Sequence, residues 1–209
     1  MLAGRGEKVE KIVYTIEGIS VWLGRAFGWC ILILTLAVAY EVFVRYVLNS
    51  PTVWSLDMQI QMYGALFLMT GPYALAQGAH VRGDFLYRLY PVKWQATSDL
   101  ILYLIFFIPG MFALVYAGYT AADESWRWKE VSLNSPAGIQ IYYLKTLVPI
   151  IGFFMLLQGF SEMLRCWKAI KTGIWMPRLD DVKETEDLLA EATHEVMDRG
   201  TPPIMPVNK

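Results

Sequence analysis

Apolar side chains along this chain fall into four long runs, at about 26–46, 58–76, 98–122 and 143–166. Each is near the ~20 residues that a helix rising 1.5 Å per residue needs to cross ~30 Å of hydrocarbon. Backbone groups in lipid must be satisfied within their own segment, and the two-residue alternation of a barrel strand is absent, so the runs predict membrane-spanning helices. Ahead of them, Val9, Ile12, Val13, Ile16, Ile19 and Leu23 recur at helical spacing, with Lys8, Lys11, Glu17 and Gly18 expected elsewhere on the surface. That pattern predicts an amphipathic helix at the membrane interface over residues 1–25, with Trp22 and Arg25 at headgroup level. A plain extension of the first span into water is the alternative.

The expected fold is therefore all-α and integral to a membrane. An interfacial helix precedes a four-helix transmembrane domain, 26–170, and a charged, disordered tail, 171–209, follows it. Asn49-Ser50-Pro51 should stop the first helix. Gly71-Pro72 marks a kink in the second, and Pro109-Gly110 marks a kink or a close helix approach in the third.

Composition agrees, since 56% of the 209 residues are hydrophobic and only 18% charged, where soluble domains carry about a quarter. The net charge of −1 and the lack of a Lys/Arg-dense stretch give no reason to expect nucleic acid. Local charge is more informative. Arg5, Lys8, Lys11, Arg25, Arg82, Arg88, Lys93, Arg165, Lys168, Lys171 and Arg178 lie on one side of the four spans, against Arg45, Arg127, Lys129 and Lys145 on the other. The positive-inside bias then places both termini in the cytoplasm. The two cysteines, Cys30 and Cys166, read as small apolar side chains.

No Asp, Glu, Lys, Arg or His stands in the middle of a run, which argues against a proton or ion path through this chain alone. No phosphate loop, zinc-type spacing, nucleophile elbow or facing carboxylate pair occurs, and His80 and His194 are poorly placed as haem ligands. No catalytic residue, cofactor or metal ligand is assigned. The candidates for structural or partner contacts are at the rims. Glu41 and Arg45, four residues apart, share a helix face; Trp54 and Asp57 open the second span, and Lys145 the fourth. His80, Arg82 and Asp84 form a polar turn between the second and third.

Glu41 and Arg45-Tyr46, Trp54 and Asp57, Tyr63, Gly71, and His80-Val81-Arg82 with Asp84 together resemble the small membrane subunit of tripartite ATP-independent periplasmic (TRAP) transporters, the DctQ-like family. Glu124-Ser125-Trp126, Glu130, Ser132, Pro136, Lys145-Thr146, Pro149, Gln158-Gly159 and Ser161-Glu162 are similar to the mannitol/chloroaromatic-compound branch. The resemblance covers roughly residues 10–170 and departs at Asp57, where the family more often has Glu. It implies a non-enzymatic subunit of the bacterial inner membrane that supports the static scaffold of a large multi-span permease. It further implies a periplasmic substrate-binding protein as partner, contact with membrane lipids, and sodium-coupled uptake of an organic acid. An independent four-span exporter, or the membrane anchor of a redox enzyme, is the competing reading.

Overall fold

The computed structural model describes residues 3–78 and 90–179, with side chains from residue 8 onward. They form helices α1 (Ala3–Gly28), α2 (Cys30–Tyr46), α3 (Ser55–Ala76), α4 (Val92–Leu102), α5 (Ile108–Trp128) and α6 (Tyr142–Thr172). Among the described residues the β pairing amounts to an isolated antiparallel bridge between Val131 and Gln140. The expected turn residues His80, Arg82 and Asp84, and the tail beyond 179, lie outside the described residues.

Among the described residues, three helical stretches are long and apolar enough to cross a membrane: Lys8–Tyr46, Val92–Trp128 and Tyr142–Thr172. The chain is membrane-embedded. The first stretch turns only at Trp29, itself helical at φ −65° and ψ −21°. It ends where Asn49 enters the left-handed region at φ 49° and the Ser50 N–H bonds the Val44 carbonyl at 3.1 Å. Asparagine tolerates that conformation, so the helix is closed two residues before Pro51 arrives.

The second stretch is continuous from α4 into α5 through a π-helical turn, Tyr103–Phe107. Pro109 explains it. The ring has no N–H and would collide with the carbonyl four residues earlier, and the wider turn makes room for it. Close approach, the other reading of Pro109-Gly110, occurs elsewhere: a Cβ on Gly110 would meet nothing within 4 Å.

The tight contacts join α5 and the π-helical turn before it to the antiparallel α6. Added Cβ atoms would come within 2.9 Å of Val148 at Gly118, 2.6 Å of Val115 at Gly152 and 2.2 Å of Phe107 at Gly159. With no hydrophobic drive between helices in lipid, such small residues permit the dispersion contact that holds them together. Gly152→Leu should therefore cost about 1–3 kcal/mol by overpacking, whereas Gly110→Leu should leave the thermal stability of the purified subunit unchanged.

Helix α3, 22 residues with Pro72 inside it, lies between α1 and α6, where Tyr73 fills the space left by Gly24 and Leu144 that left by Gly64. Cys166 is buried with Ala96 and Ala169 where α4 meets α6, consistent with its reading as a small apolar side chain.

Candidate structural site: two polar clasps at the ends of the bundle

The first clasp joins the end of α2, the start of α3 and the α5–α6 connection. Glu41, 6% exposed, accepts from Arg45 Nε at 3.0 Å and Nη2 at 2.6 Å. Its other oxygen accepts from the Thr52 hydroxyl and backbone N–H, so one carboxylate fastens α2 to the turn that follows it. Asp57, 2% exposed in the first turn of α3, accepts from Ser132 on one oxygen and Ser135 on the other. The shorter carboxylate thus has two hydroxyl partners, both more than seventy residues away in sequence. Trp54 precedes α3 and is partly exposed, with its carbonyl accepting from the Met58 N–H at 3.2 Å.

Lys145 forms an ion pair with Glu130, which also accepts from the Ser125 hydroxyl at 2.6 Å. The turn between them is shaped by Lys129, left-handed at φ 48°, and by the Ser132 N–H bonded to the Ile139 carbonyl at 2.7 Å. The Trp126 indole N–H donates to Thr146 at 2.8 Å and its ring lies 4.4 Å from that of Tyr142. Lys129 Nζ stands 4.9 Å from the Trp126 ring centroid, a cation–π contact.

Hydrogen bonds from Lys145 and Ser125 hold the Glu130 carboxyl below the usual carboxylate value of 4.5. Because the folded pKa is the lower one, the stabilising contribution of this ion pair is present above that value and is lost as pH falls through the lowered one. A pH titration of Trp126 fluorescence, read as the difference from a Trp126→Phe protein, should be flat down to about pH 4.5 and change only below it. A midpoint above that would contradict the pairing.

The second clasp, at the opposite end, was not expected. Glu17 and Arg165, each 1% exposed, pair at 2.6 Å between α1 and α6. Arg165 also donates to the carbonyls of Met176 at 2.9 Å and Pro177 at 3.2 Å. Glu162 receives Arg178 on both oxygens, at 3.1 and 2.9 Å. Arg178 Nη1 further donates to the carbonyls of Leu75 and Ala76, at 3.2 and 2.6 Å, supplying donors that the end of α3 lacks. Beside this network the Ser20 hydroxyl donates to Gln158 at 2.8 Å.

Helix α6 ends at Gly173, left-handed at φ 75°, and residues 173–179 fold back over the clasp as a strap. The Leu179 N–H donates to Glu17 at 3.3 Å, Tyr14 to the Pro177 carbonyl at 3.3 Å, and Trp175 to Gln95 at 3.4 Å. Part of the segment expected in the tail is therefore packed against the bundle, and Glu17, expected on the surface, is buried. A signal existed. Glu17 shares its helix stripe with Val13, Ser20 and Gly24, and Gln158, Ser161, Glu162, Arg165 and Ala169 form one stripe on α6.

In both clasps every carboxylate named is occupied by donors from another part of the chain, which makes them fasteners between helix ends. No curated protein matches the chain. Residues 34–169 match the family described as "Tripartite ATP-independent periplasmic transporters, DctQ component", a family of transporter components and not of enzymes. As that match takes in well over half of the sequence, the chain belongs to the DctQ family, whose members are the small subunits of TRAP transporters.

Proposed function

We propose that this chain is the small permease subunit that enlarges the static scaffold of a TRAP transporter. It stands in the bacterial inner membrane beside a large multi-span subunit and works with a periplasmic substrate-binding protein. Four spans, with α3 as the fourth, and cytoplasmic termini complete the arrangement. At 22 residues, α3 extends about 33 Å, and the excess of Lys and Arg at one end of the bundle supports the orientation.

The observation that carries the reading is the placement of charge. Ionisable side chains gather at the two ends, where the carboxylates are clasped to neighbouring elements, while the central turns of every apolar run hold none. A subunit that moved an ion or an acid would need polar groups free to bind and release it near the membrane centre. A support needs fixed helix ends and a broad apolar flank, and Val92–Trp128 provides that flank through exposed Leu104, Phe106, Phe112 and Tyr116.

On this reading Glu41, Arg45, Asp57 and Lys145 fix the periplasmic end. Arg45, half exposed, and Trp54 remain available to a partner there, and His80, Arg82 and Asp84 order the cytoplasmic turn. The cargo is an organic acid carried with sodium, and the branch is that of mannitol/chloroaromatic-type systems. Purification of the tagged chain from its native membrane should bring down a large permease in constant ratio. Recovery of the chain alone, in mild detergent and with the permease present in the membrane, would contradict the proposal.

A further inference from the structure

The face of α1 turned away from the bundle carries a second pattern. Val13, Glu17 and Ser20 are buried against α6, yet Ile12 and Ile19, on the other side, are 47% and 43% exposed. The apolar positions of this helix therefore serve two faces. On the outer one, Lys8, Lys11, Ile12, Thr15 and Ile16 line an open groove of about 420 Å³.

Its polarity is ordered along the helix. The two ammonium groups stand at the N-terminal end, and isoleucines follow toward the membrane centre. The level of the lysines is set by Glu10, between them in sequence, which pairs with Lys168 near the end of α6. Helix α6, at 31 residues, is about 46 Å long and outruns a hydrocarbon core of ~30 Å, so its last turns stand among headgroups. Glu10 is neutralised by that pairing and leaves the charge of Lys8 and Lys11 uncompensated by it.

We infer that this groove seats one anionic phospholipid, its phosphate between Lys8 and Lys11 and an acyl chain along Ile12, Ile16 and Ile19. The inference rests on the membrane placement of α1 and not on the transport role. Charge complementarity selects the headgroup, and the isoleucine row selects a lipid over a free anion.

Native mass spectrometry of the full chain from vesicles of phosphatidylcholine mixed with phosphatidylglycerol tests it. At about fivefold per basic side chain at an anionic surface, wild type should retain phosphatidylglycerol with about a twenty-five-fold preference. Lys8→Gln with Lys11→Gln should abolish the preference at unchanged thermal stability, since both side chains are exposed. Lys8→Arg with Lys11→Arg should keep it.

Ile12→Ser with Ile16→Ser should also reduce retention; if it does not, diffuse charge and not a seat is responsible, and the inference fails. Undiminished preference in the Gln variant would overturn it, as would displacement of the lipid by inorganic phosphate. A chain that assembles with no permease would leave these outcomes unaltered, so the two proposals fail separately.

Discussion

Replacing Arg165 by Met should lower the stability of the purified subunit by about 3–5 kcal/mol, among the largest effects expected of a single substitution in this chain. The guanidinium is 1% exposed and holds Glu17 of α1 together with the carbonyls of Met176 and Pro177. Its Nε, 3.8 Å from Glu162, has no hydrogen-bond partner, so the hydrogen bonds that Arg165 contributes come from its other nitrogens. Removing it strands a buried carboxylate, and that desolvation cost dominates the loss. Glu17→Met in the same protein should recover much of the stability, because an apolar pair of similar volume avoids the cost. The recovery should be incomplete, as two carbonyls of the strap still lack a donor. Thermal denaturation of Arg165→Met, Glu17→Met and the double variant in one detergent measures the cycle, and Arg165→Met within about 1 kcal/mol of wild type would show that the pair does not bind α1 to α6.

Arg178→Ala should destabilise by a similar amount, and Arg178→Lys should rescue little of it. The fork of the guanidinium meets both oxygens of Glu162 and two carbonyls at the end of α3 at once, whereas an ammonium is a single point of charge with three donors. Gly78 provides the space. At φ 70°, a Cβ there would come within 2.9 Å of Arg178 Cζ, so Gly78→Ala is strained both by its backbone and by this contact. The readouts are melting temperature and the monodisperse fraction on size exclusion. Stability equal to wild type in Arg178→Ala would mean that the strap is a passive extension of α6.

The helices were legible because lipid-facing sequence is simple: each run is long, apolar and bounded by polar residues. Glu41 and Arg45 were legible for a local reason, as i and i+4 on one helix. The partners of Asp57 were not, since Ser132 and Ser135 reach it only when the α5–α6 connection folds over the start of α3. Glu17 illustrates the same limit more sharply. A lone acid among apolar positions reads as solvent-facing until its partner, 148 residues away, is brought against it. Pro109-Gly110 was visible as a kink or a close approach, but the π-helical turn that precedes it depends on how the carbonyls before the proline rearrange, with Phe107 pressed onto Gly159. Proline and small residues mark where helices are disturbed or approach, and at Pro109-Gly110 the backbone answered the proline ring with a wider turn while the close approaches fell at other glycines.

The placement of charge at the ends and not the centre of the bundle is what separates a supporting subunit from a self-sufficient carrier. Solute uptake by proteoliposomes holding this chain alone, compared with vesicles holding it with its co-purified permease and supplied with the binding protein, measures that distinction directly. The chain alone should match empty vesicles and the full set should accumulate an organic acid under a sodium gradient. Uptake or efflux by the isolated chain would contradict the supporting role.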